Sequence, residues 1–446
     1  MQRILALLVP TTRHATHDGR PRRRAPGWAA AIGLLLAPTA HGQRAPDFLY
    51  GDQNQSWFGA AVAGAGDVNG DGYDDIIVGA PYRSNLYPGG SYEDMGAVAL
   101  YLGSAVGIVS TPAWYVVGSG NANGVYCGRD VAGAGDVNGD GFDDVLIYRR
   151  KWRPPTAELY HGSPSGLSPT PAWVGVSPHG NDDLSMVSEI GDVNADGYDD
   201  IVVVARGNYH GEAYAFHGSP SGLGPLPAWS LERKDLYSVE RAGDVNGDGY
   251  DDVVTSHVPR TDPGYYAIVL GSPSGLAETP IGVYGVSDAG PIGPVHAAGD
   301  VNGDGYGDLL SVGPGAGGNG EVRLYPGSPT GPMDIAWVIQ GTPTVPISTA
   351  GYAGDVDADG FDDLLIGCGY AYDNRGAVFL VRGSAALSVG PLERVAKGTR
   401  GVFLGLYPKE ISAAGDVDGD GYPEILIGAP YYAAHHLGGV GLFYGP

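Results

Sequence analysis

The sequence predicts an all-β fold, a seven-bladed β-propeller with four strands per blade. Three observations lead to this prediction. An aspartate-rich loop recurs seven times, a strand-like segment that usually ends in Gly-Ser follows each loop, and a Pro-Ala-Trp segment follows several of these. Successive loops begin 52 to 69 residues apart, a repeat length that accommodates the four short strands of a propeller blade.

The first repeat shows the four segments in order. The first strand is expected at 59–65, which leads into the aspartate loop, and the second at 75–79, which leaves it. The third strand is expected at 96–104 and the fourth at 111–117. Glycine, proline, asparagine and aspartate separate these β-rich runs, and no sustained helical periodicity is visible, so few helices are expected.

The two ends of the sequence predict how the ring closes. The seventh repeat reaches only its third strand, at 438–446, while an additional apolar segment, 46–50, precedes the first repeat. We expect this N-terminal segment to supply the fourth, outer strand of the last blade. Both edges of the ring would then be paired rather than exposed.

The recurring loop has the ligand pattern of a calcium site. Oxygen-bearing side chains occupy positions 1, 3 and 5, glycine occupies position 6 and an acid occupies position 9, so these groups and the position-7 carbonyl can point at one centre. An EF-hand is not indicated, because position 12 is never glutamate and a β-run follows. In loop order, the expected ligands are Asp67, Asn69, Asp71, Tyr73 and Asp75; Asp136, Asn138, Asp140, Phe142 and Asp144; Asp192, Asn194, Asp196, Tyr198 and Asp200; Asp244, Asn246, Asp248, Tyr250 and Asp252; Asp300, Asn302, Asp304, Tyr306 and Asp308; Asp355, Asp357, Asp359, Phe361 and Asp363; and Asp416, Asp418, Asp420, Tyr422 and Glu424.

Most of the negative charge lies in these loops. Removing residues 1–42, with six arginines and one aspartate, leaves 19 basic and 49 acidic side chains, a formal charge of −30. The loops contain 28 of those acids. We therefore expect up to seven structural Ca²⁺ ions, which would relieve repulsion within each loop; the alternative is aspartate-rich turns without an ion. Nucleic acid is not an expected partner at this charge.

Residues 1–42 have the pattern of a signal peptide, and 43–446 are expected to form the propeller domain. A basic run at 20–24 precedes a short apolar run at 28–37, and small residues follow. We expect a secreted or extracellular monomer, cell-surface associated or, in a bacterium, periplasmic, with no transmembrane segment after cleavage. The alternative is a short N-terminal membrane anchor. Cys127 and Cys368 lie at non-equivalent repeat positions, and the sequence does not decide whether a disulfide joins them.

These residues resemble the FG-GAP repeat family, whose best-known members are the N-terminal propellers of integrin α subunits. Phe58-Gly59 precedes the first strand, Gly79-Ala80-Pro81 ends the second, and Gly428-Ala429-Pro430 recurs in the seventh repeat. The resemblance covers about residues 46–446. It implies calcium at loop positions 1, 3, 5, 7 and 9, and extracellular adhesion or recognition through the opposite face. The chain departs from the family in carrying the aspartate loop in all seven repeats.

The strand order places the loops on one face and the connections between second and third strands, and between blades, on the other. These connections are unequal in length and rich in aromatic and basic residues, the types favoured at binding hot spots. The alternative is that the aromatics pack between blades and the bases balance local charge. The candidate ligand-binding residues are Tyr82, Arg83, Tyr148, Arg149, Arg150, Trp152, Arg206, Tyr209, Tyr370, Tyr372, Tyr431 and Tyr432.

We expect a binding or adhesion module rather than an enzyme. No histidine has zinc-ligand spacing, no Gly-x-Ser-x-Gly motif is present, and one carboxylate of each Asp-Asp pair is already assigned to calcium, so no catalytic residue is expected. The expected partner is an extracellular protein or a glycan. Two alternatives stay open, a lectin-like glycan binder and a carbohydrate-active enzyme such as a polysaccharide lyase or hydrolase.

Overall fold

The computed structural model describes residues 44–445 except 54, 87–91, 119–125, 151–154, 177–182, 207–210, 234, 258–263, 286–293, 316, 333, 399–409 and 432–436. These residues form seven four-stranded antiparallel sheets, and one helix of four residues is found among them. The prediction of a seven-bladed all-β propeller is confirmed. None of the helical structure in the described ranges is long and apolar enough to cross a membrane. The predicted signal peptide lies outside the described residues.

Each blade runs from an inner strand at the axis of the ring to an outer strand at its rim. The strand β1 (Asp47–Tyr50) precedes blade 1, which consists of β2 (Ala61–Gly66), β3 (Asp75–Ala80), β6 (Ala97–Tyr101) and β7 (Trp114–Val117), with a side hairpin of β4 (Ser84–Leu86) and β5 (Tyr92–Asp94). Blade 2 consists of β8 (Cys127–Gly135), β9 (Asp144–Arg149), β10 (Thr156–Tyr160) and β11 (Trp173–Val176). Blade 3 consists of β12 (Asp183–Gly191), β13 (Asp200–Arg206), β14 (Gly211–Phe216) and β15 (Trp229–Arg233).

The remaining blades repeat this order. Blade 4 consists of β16 (Leu236–Gly243), β17 (Asp252–His257), β18 (Tyr265–Val269) and β19 (Ile281–Gly285). Blade 5 consists of β20 (Val295–Gly299), β21 (Asp308–Gly313), β22 (Glu321–Tyr325) and β23 (Trp337–Gln340). Blade 6 consists of β24 (Thr349–Gly354), β25 (Asp363–Cys368), β26 (Ala377–Val381) and β27 (Glu393–Lys397), with helix α1 (Ala371–Asn374) between β25 and β26. Blade 7 consists of β28 (Ile411–Gly415), β29 (Glu424–Ala429), β30 (Gly439–Phe443) and β1.

The N-terminal strand closes the ring, as the sequence predicts. Strand β1 pairs antiparallel with β30, with Asp47 opposite Leu442 and Tyr50 opposite Gly439. The Leu49 side chain is buried against blade 7, in the cluster that also contains residues of blade 1. The outer edge of the last blade is therefore paired, and the two ends of the chain stabilise the same blade.

The hydrophobic core is divided among the blade interfaces. Each of seven buried clusters contains residues of two neighbouring blades, and together they account for all seven interfaces of the ring. The middle strands β3 and β6 are buried along their whole length. They are apolar at nearly every position because both sheet faces are covered by neighbouring blades. The apolar run after each aspartate loop thus reflects burial on two sides.

Glycines of the FG and GAP segments allow neighbouring blades to approach closely. A Cβ atom on Gly79 would lie 2.0 Å from the carbonyl oxygen of Gly128, at the start of blade 2. A Cβ atom on Gly428 would lie 2.1 Å from the carbonyl oxygen of Gly59, across the junction of blades 7 and 1. Both distances are shorter than any side chain tolerates, so these positions require glycine.

The Pro-Ala-Trp segments connect the outer parts of the blades. The indole N–H groups of Trp114, Trp173 and Trp229 donate to carbonyl oxygens in the next blade, at 2.9 to 3.0 Å. These tryptophans begin the outer strands β7, β11 and β15. A buried indole needs such a partner, and here the partner also fixes one blade to the next.

The two cysteines are buried in different blades. Cys127 begins β8 and Cys368 ends β25, and no disulfide joins them. Burial raises the pKa of the Cys368 thiol to about 12. This thiol therefore stays protonated, and poorly nucleophilic, at neutral pH.

Candidate calcium loops and channel mouth

Each aspartate loop joins the inner strand of a blade to its second strand, at the same end of the ring. In the first loop the Asp67 carboxylate accepts hydrogen bonds from the amides of Gly70, Asp71 and Gly72, at 2.7 to 3.0 Å. Gly72 has a φ of +89°, a conformation that favours glycine and explains the glycine at position 6. The backbone is thereby folded around the first aspartate of the loop.

The acid at position 9 is buried at the base of the loop. Asp75 accepts hydrogen bonds from the amides of Val68, at 3.2 Å, and Gly103, at 2.9 Å, which fix the third strand to the loop. Burial raises the pKa of Asp75 to about 7 and that of Asp144, its counterpart in the second loop, to about 8. A cation close to these carboxylates would favour their charged forms, and each oxygen keeps a lone pair for a ligand bond.

The sixth and seventh loops bring three carboxylates together. Oxygen atoms of the three aspartates lie within 4.8 Å of one another in each loop, in the groups Asp355, Asp357 and Asp359 and Asp416, Asp418 and Asp420. Within the described ranges, the buried Oδ1 atoms of Asp357 and Asp418 and the buried Oε1 atom of Glu424 have no hydrogen-bond partner. Such a donor set fits a hard cation that prefers oxygen ligands.

The other five loops carry asparagine at position 3. In the first loop the Asn69 Oδ1 atom accepts a hydrogen bond from the Asp71 amide at 2.9 Å, and its Nδ2 atom donates to the Asp71 carboxylate at 3.0 Å. The same pair of contacts recurs between Asn138 and Asp140. Positions 3 and 5 are thus held side by side in these loops, with one carboxylate fewer than in the sixth and seventh.

An arginine contacts the position-3 aspartate in both loops that have one. Arg382 Nη1 lies 2.8 Å from Asp357 Oδ2 and 3.1 Å from Asp363 Oδ2, and Arg44 Nη1 lies 3.0 Å from Asp418 Oδ2. In the sixth loop the guanidinium thus supplies part of the positive charge that a cation would supply. Sequence reasoning missed these arginines because they lie outside the loops, and only the fold brings them there.

The acid at position 8 links neighbouring blades. Asp143 of the second loop accepts a hydrogen bond from the Asp67 amide of the first loop at 2.8 Å. The same link occurs at five of the seven junctions, with Asp74, Asp143, Asp199, Asp251 and Asp362 as acceptors. Gly307 and Pro423 occupy this position at the other two. The sequence analysis assigned position 8 no role; the structure shows that it is a contact between blades.

The aromatic residue at position 7 makes a second contact between loops. A Cβ atom on Gly70 would lie 2.5 Å from the Phe142 ring, and one on Gly139 would lie 2.5 Å from the Tyr198 ring. Each ring therefore covers the fourth position of the loop before it. This packing explains both the small residue at position 4 and the Tyr or Phe at position 7, whose carbonyl alone was expected to matter.

The inner strands surround a central channel of about 1250 Å³. At the loop end its charges are paired, since Arg241 lies 2.7 Å from Glu189 and 3.2 Å from Asp251. The opposite end, which we call the channel mouth, carries aromatic and basic residues at the starts of inner strands and the ends of second strands, beside the buried acids Asp130 and Glu410. The aromatic and basic residues are Trp57, Tyr82, Tyr126, Arg129, Arg150, Arg206, Tyr237 and Tyr431.

Four aromatic rings pack in a row along one side of the channel mouth. The ring centroid of Trp57 lies 4.3 Å from that of Tyr82 and 4.8 Å from that of Tyr431, and Tyr82 lies 5.2 Å from Tyr126. Arg150 continues the row, 5.7 Å from the Tyr126 ring. Trp57 has a φ of +54° and Tyr126 a φ of +44°, a strained conformation for bulky residues that is concentrated at functional sites.

The other side of the channel mouth carries two arginines. Arg206 lies over the ring of Tyr237, 3.9 Å from its centroid, and donates to the Tyr237 carbonyl. Arg129 is exposed on β8 and lines the same channel. Burial, and to a smaller extent the positive charge of Arg129, lowers the pKa of Arg206. Both arginines therefore line the same channel, on neighbouring blades.

The structure brings only part of the predicted ligand-binding set to the channel mouth. Tyr82, Arg150, Arg206 and Tyr431 lie there, together with Trp57, Tyr126, Arg129 and Tyr237, which the sequence analysis missed. Those four precede or begin inner strands, whereas the prediction followed runs of aromatic and basic residues after second strands.

Other members of the predicted set lie elsewhere. Tyr370 and Tyr372 lie at helix α1 of blade 6, where Lys397 is 4.4 Å from the Tyr372 ring. Arg83 forms an ion pair with Asp52 at 2.8 Å. Trp152, Tyr209 and Tyr432 lie outside the described residues.

The prediction that Tyr148 and Arg149 belong to an exposed connection is wrong. Both are buried within β9, at 2% and 5% exposure. Arg149 lies 2.8 Å from Glu158 on the neighbouring strand β10. The strand extends further than the sequence indicated because this ion pair neutralises the guanidinium inside the blade, so a charged residue does not end the strand.

The fold and the repeated loop together define the class of protein, a closed propeller with an aspartate loop at the same end of every blade. The FG-GAP repeat model matches residues 58–101 and 410–443, and the FG-GAP-like repeat model matches 192–255 and 279–366. The matched segments cover more than half of the 446 residues. The chain belongs to the FG-GAP repeat family.

Curated relatives include integrin α chains. The chain is similar to integrin alpha-IIb of Mus musculus, with 32% identity over 190 residues that cover 41% of this chain and 18% of that protein. Integrin alpha pat-2 of Caenorhabditis elegans is 33% identical over 133 residues, covering 29% and 10%. Integrin alpha-8 of Mus musculus is 35% identical over 127 residues, covering 28% and 12%. The matched segments span less than a fifth of these relatives.

A solved structure supports the fold alone. A chain in the crystal structure of BBS1N in complex with ARL6DN, soaked with lead, matches with a TM-score of 0.50 and 11% sequence identity. The match covers 91% of this chain and 96% of that chain. At this identity the likeness concerns the propeller architecture and carries no information on ligands.

Proposed function

We propose that this chain is a secreted β-propeller, stabilised by calcium in its loops, that acts as an extracellular binding or adhesion module. The observation that carries the proposal is the difference between the two ends of the ring. At one end the aspartate loops connect the blades to one another, whereas the other end presents the strained aromatic and cationic channel mouth. Tyrosine, tryptophan and arginine are the residues enriched at binding hot spots. The similarity to integrin α chains supports an extracellular role.

Calcium would be held by the side chains at loop positions 1, 3, 5 and 9 and by the carbonyl at position 7. An ion there would neutralise the carboxylates that are brought together in loops such as Asp355–Asp363. Because position-8 acids and position-7 rings join neighbouring loops at most of the junctions, an ordered loop also fixes a blade junction. The role proposed for calcium is therefore structural.

Calcium removal tests this part of the proposal. One site saturated at a hundred times its Kd contributes about 2.7 kcal/mol to stability. For about 400 residues, with an unfolding entropy of about 2.1 cal/mol/K per residue, this corresponds to roughly 3 °C in Tm per occupied loop. We expect EDTA to lower Tm by roughly 10 °C or more when several loops are occupied, and added CaCl₂ to restore it. An unchanged Tm would contradict the calcium role.

A pair of variants shows whether the ion is in the loops. Asp71→Ala removes an expected ligand of the first loop, and a calcium titration should then show one bound ion fewer than in the wild type. Asp334→Ala removes an exposed acid outside the loops and serves as the control. Equal losses in both variants would show that calcium binds through general negative charge rather than at the loops.

The binding role is tested with the purified propeller on native cell surfaces and extracellular matrix. We expect saturable retention that depends on intact loops. Binding to a glycan array with no protein partner would support the lectin alternative instead. Release of products from acidic polysaccharides would support a carbohydrate-active enzyme. Absence of retention on all of these surfaces would contradict a binding module.

A further inference from the structure

Two arginines at the channel mouth have no acidic partner among the described residues. Arg129 and Arg206 both line the channel, yet neither forms an ion pair within those ranges. The chain has 50 acidic residues for 25 basic ones, so partners are abundant. Six described arginines form ion pairs, as Arg241 does in the same channel, whereas Arg233, Arg375 and Arg394 form none within the described ranges. Arg129 and Arg206 differ from those three arginines in that both line the channel, where one external anion can reach them.

The surroundings of Arg206 also favour the binding of an external anion. Its Nη2 atom donates to the Tyr237 carbonyl, but its Nε atom is buried without a hydrogen-bond partner in the described part of the chain. The nearby positive charge of Arg129 adds to the effect of burial in disfavouring the charged guanidinium. A carboxylate bound at Arg206 would satisfy its Nε donor and offset the positive charge of both arginines, because carboxylates accept two parallel hydrogen bonds from a guanidinium.

The aromatic row gives the channel mouth the composition of a protein interface. The ring centroid of Trp57 lies 4.3 Å from that of Tyr82 and 4.8 Å from that of Tyr431, with the ring planes tilted by 52° and 57°. Tyrosine, tryptophan and arginine are enriched among the anchor residues of protein interfaces. The row and the two arginines together therefore favour a protein ligand.

The positive φ angles show that this arrangement is fixed by the fold. Trp57 and Tyr126 adopt φ values of +54° and +44°, which cost free energy for residues with bulky side chains. Tyr126 directly precedes β8 and Trp57 lies four residues before β2, so both are at the entry to an inner strand. A ligand would therefore meet a preorganised surface and would lose little affinity to ordering side chains.

We propose that the channel mouth binds an acidic segment of a partner protein, whose carboxylate groups are paired by Arg129 and Arg206 beside the aromatic row. This inference rests on the proposed binding function and narrows it to one ligand chemistry. The row formed by Tyr431, Trp57, Tyr82 and Tyr126 supplies apolar contact area. The two arginines select for negative charge.

Fluorescence anisotropy with a labelled peptide of alternating glutamate and tyrosine tests the proposal, in saturating calcium. The matched peptide has glutamine in place of glutamate. We expect the wild-type protein to bind the acidic peptide at least tenfold more tightly than the neutral one. The double variant Arg129→Gln, Arg206→Gln should lose at least tenfold in affinity for the acidic peptide. Arg233→Gln changes an exposed arginine at the end of the outer strand β15 and should leave affinity unchanged.

Several outcomes overturn the proposal. Equal affinity for the two peptides, or unchanged affinity in a double variant whose Tm matches the wild type, removes the acidic-ligand assignment. Tighter binding of oligogalacturonate than of the acidic peptide shows that the anion belongs to a glycan. Cell-surface retention that persists in the double variant preserves the proposed binding function and shows that this site does not carry it. A double variant that fails to fold is replaced by the single variant Arg129→Gln, whose side chain is exposed, with a loss expected in the same direction.

Discussion

Replacing Asp143 by alanine should loosen the junction between blades 1 and 2. Asp143 Oδ2 accepts a hydrogen bond from the Asp67 amide at 2.8 Å. The alanine side chain of the variant has no atom that can accept this hydrogen bond. A hydrogen bond to a charged group contributes about 1.5–3 kcal/mol. Part of this is offset, because burial, and to a smaller extent the like charges on Asp74, Asp199 and Asp136, disfavours the charged Asp143 carboxylate. A net loss of about 1–2 kcal/mol makes local opening roughly 5- to 30-fold more frequent.

Hydrogen exchange measures this effect where it occurs. In saturating calcium, mass spectrometry should show faster exchange of the amides around Asp67 in Asp143→Ala, while amides of distant blades keep their wild-type rates. Asp143→Asn is the matched variant, since its carbonyl oxygen still accepts the hydrogen bond without the charge. We expect its exchange rates to stay near those of the wild type.

The wild-type protein contains its own comparison. Position 8 is Gly307 at the junction of blades 4 and 5, so no side chain there can accept a hydrogen bond from the Asp244 amide. The Asp244 region should therefore exchange faster than the Asp67 region before any substitution. Equal exchange around Asp67 in the wild type and in Asp143→Ala would refute the reasoning and leave position 8 without a role in the junction.

Two further variants test the calcium affinity of the sixth loop and the contribution of β1 to ring closure. Arg382→Met removes the guanidinium from Asp357 and Asp363, so a calcium titration should show tighter binding at one site by about tenfold, the equivalent of about 1.4 kcal/mol; weaker binding would show that the arginine supports the site. Leu49→Ala leaves a cavity under the closing strand β1 and should cost about 2–5 kcal/mol, lowering the urea midpoint; a wild-type midpoint would show that β1 contributes little to closure.

The aspartate loop shows which structural features can be predicted from residues that are close together in the sequence. Its spacing alone predicted the turn, because alternating oxygen-bearing side chains with a glycine at position 6 are typical of a tight loop whose side chains can point at one centre. The structure confirms the turn, with Asp67 receiving three amides and Gly72 at positive φ. The same spacing did not show that Asp143 bonds to the loop of the preceding blade, since that contact joins residues 76 positions apart. The repeat pattern shows which features recur within each blade, but it gives no information on the contacts between neighbouring blades.

The channel mouth shows where composition misleads. Runs of aromatic and basic residues after second strands suggested Tyr148 and Arg149, yet both are buried in β9 beside Glu158. Arg129 stands in an inner strand between a glycine and an aspartate, and nothing in its neighbours marks it as part of a site. It lines the channel mouth because ring closure turns β8 towards the axis, where Arg206 of the next blade lines the same channel.

The sequence by itself determined the number of blades, the four strands in each, the closing strand and the aspartate loops for which calcium is proposed. Each of these follows from a local pattern that is repeated seven times or from a segment left over at one end. Only the tertiary structure decided the contacts between blades, the arginines at the sixth and seventh loops and the composition of the channel mouth. Those features depend on residues that are far apart in the chain and meet because the ring closes.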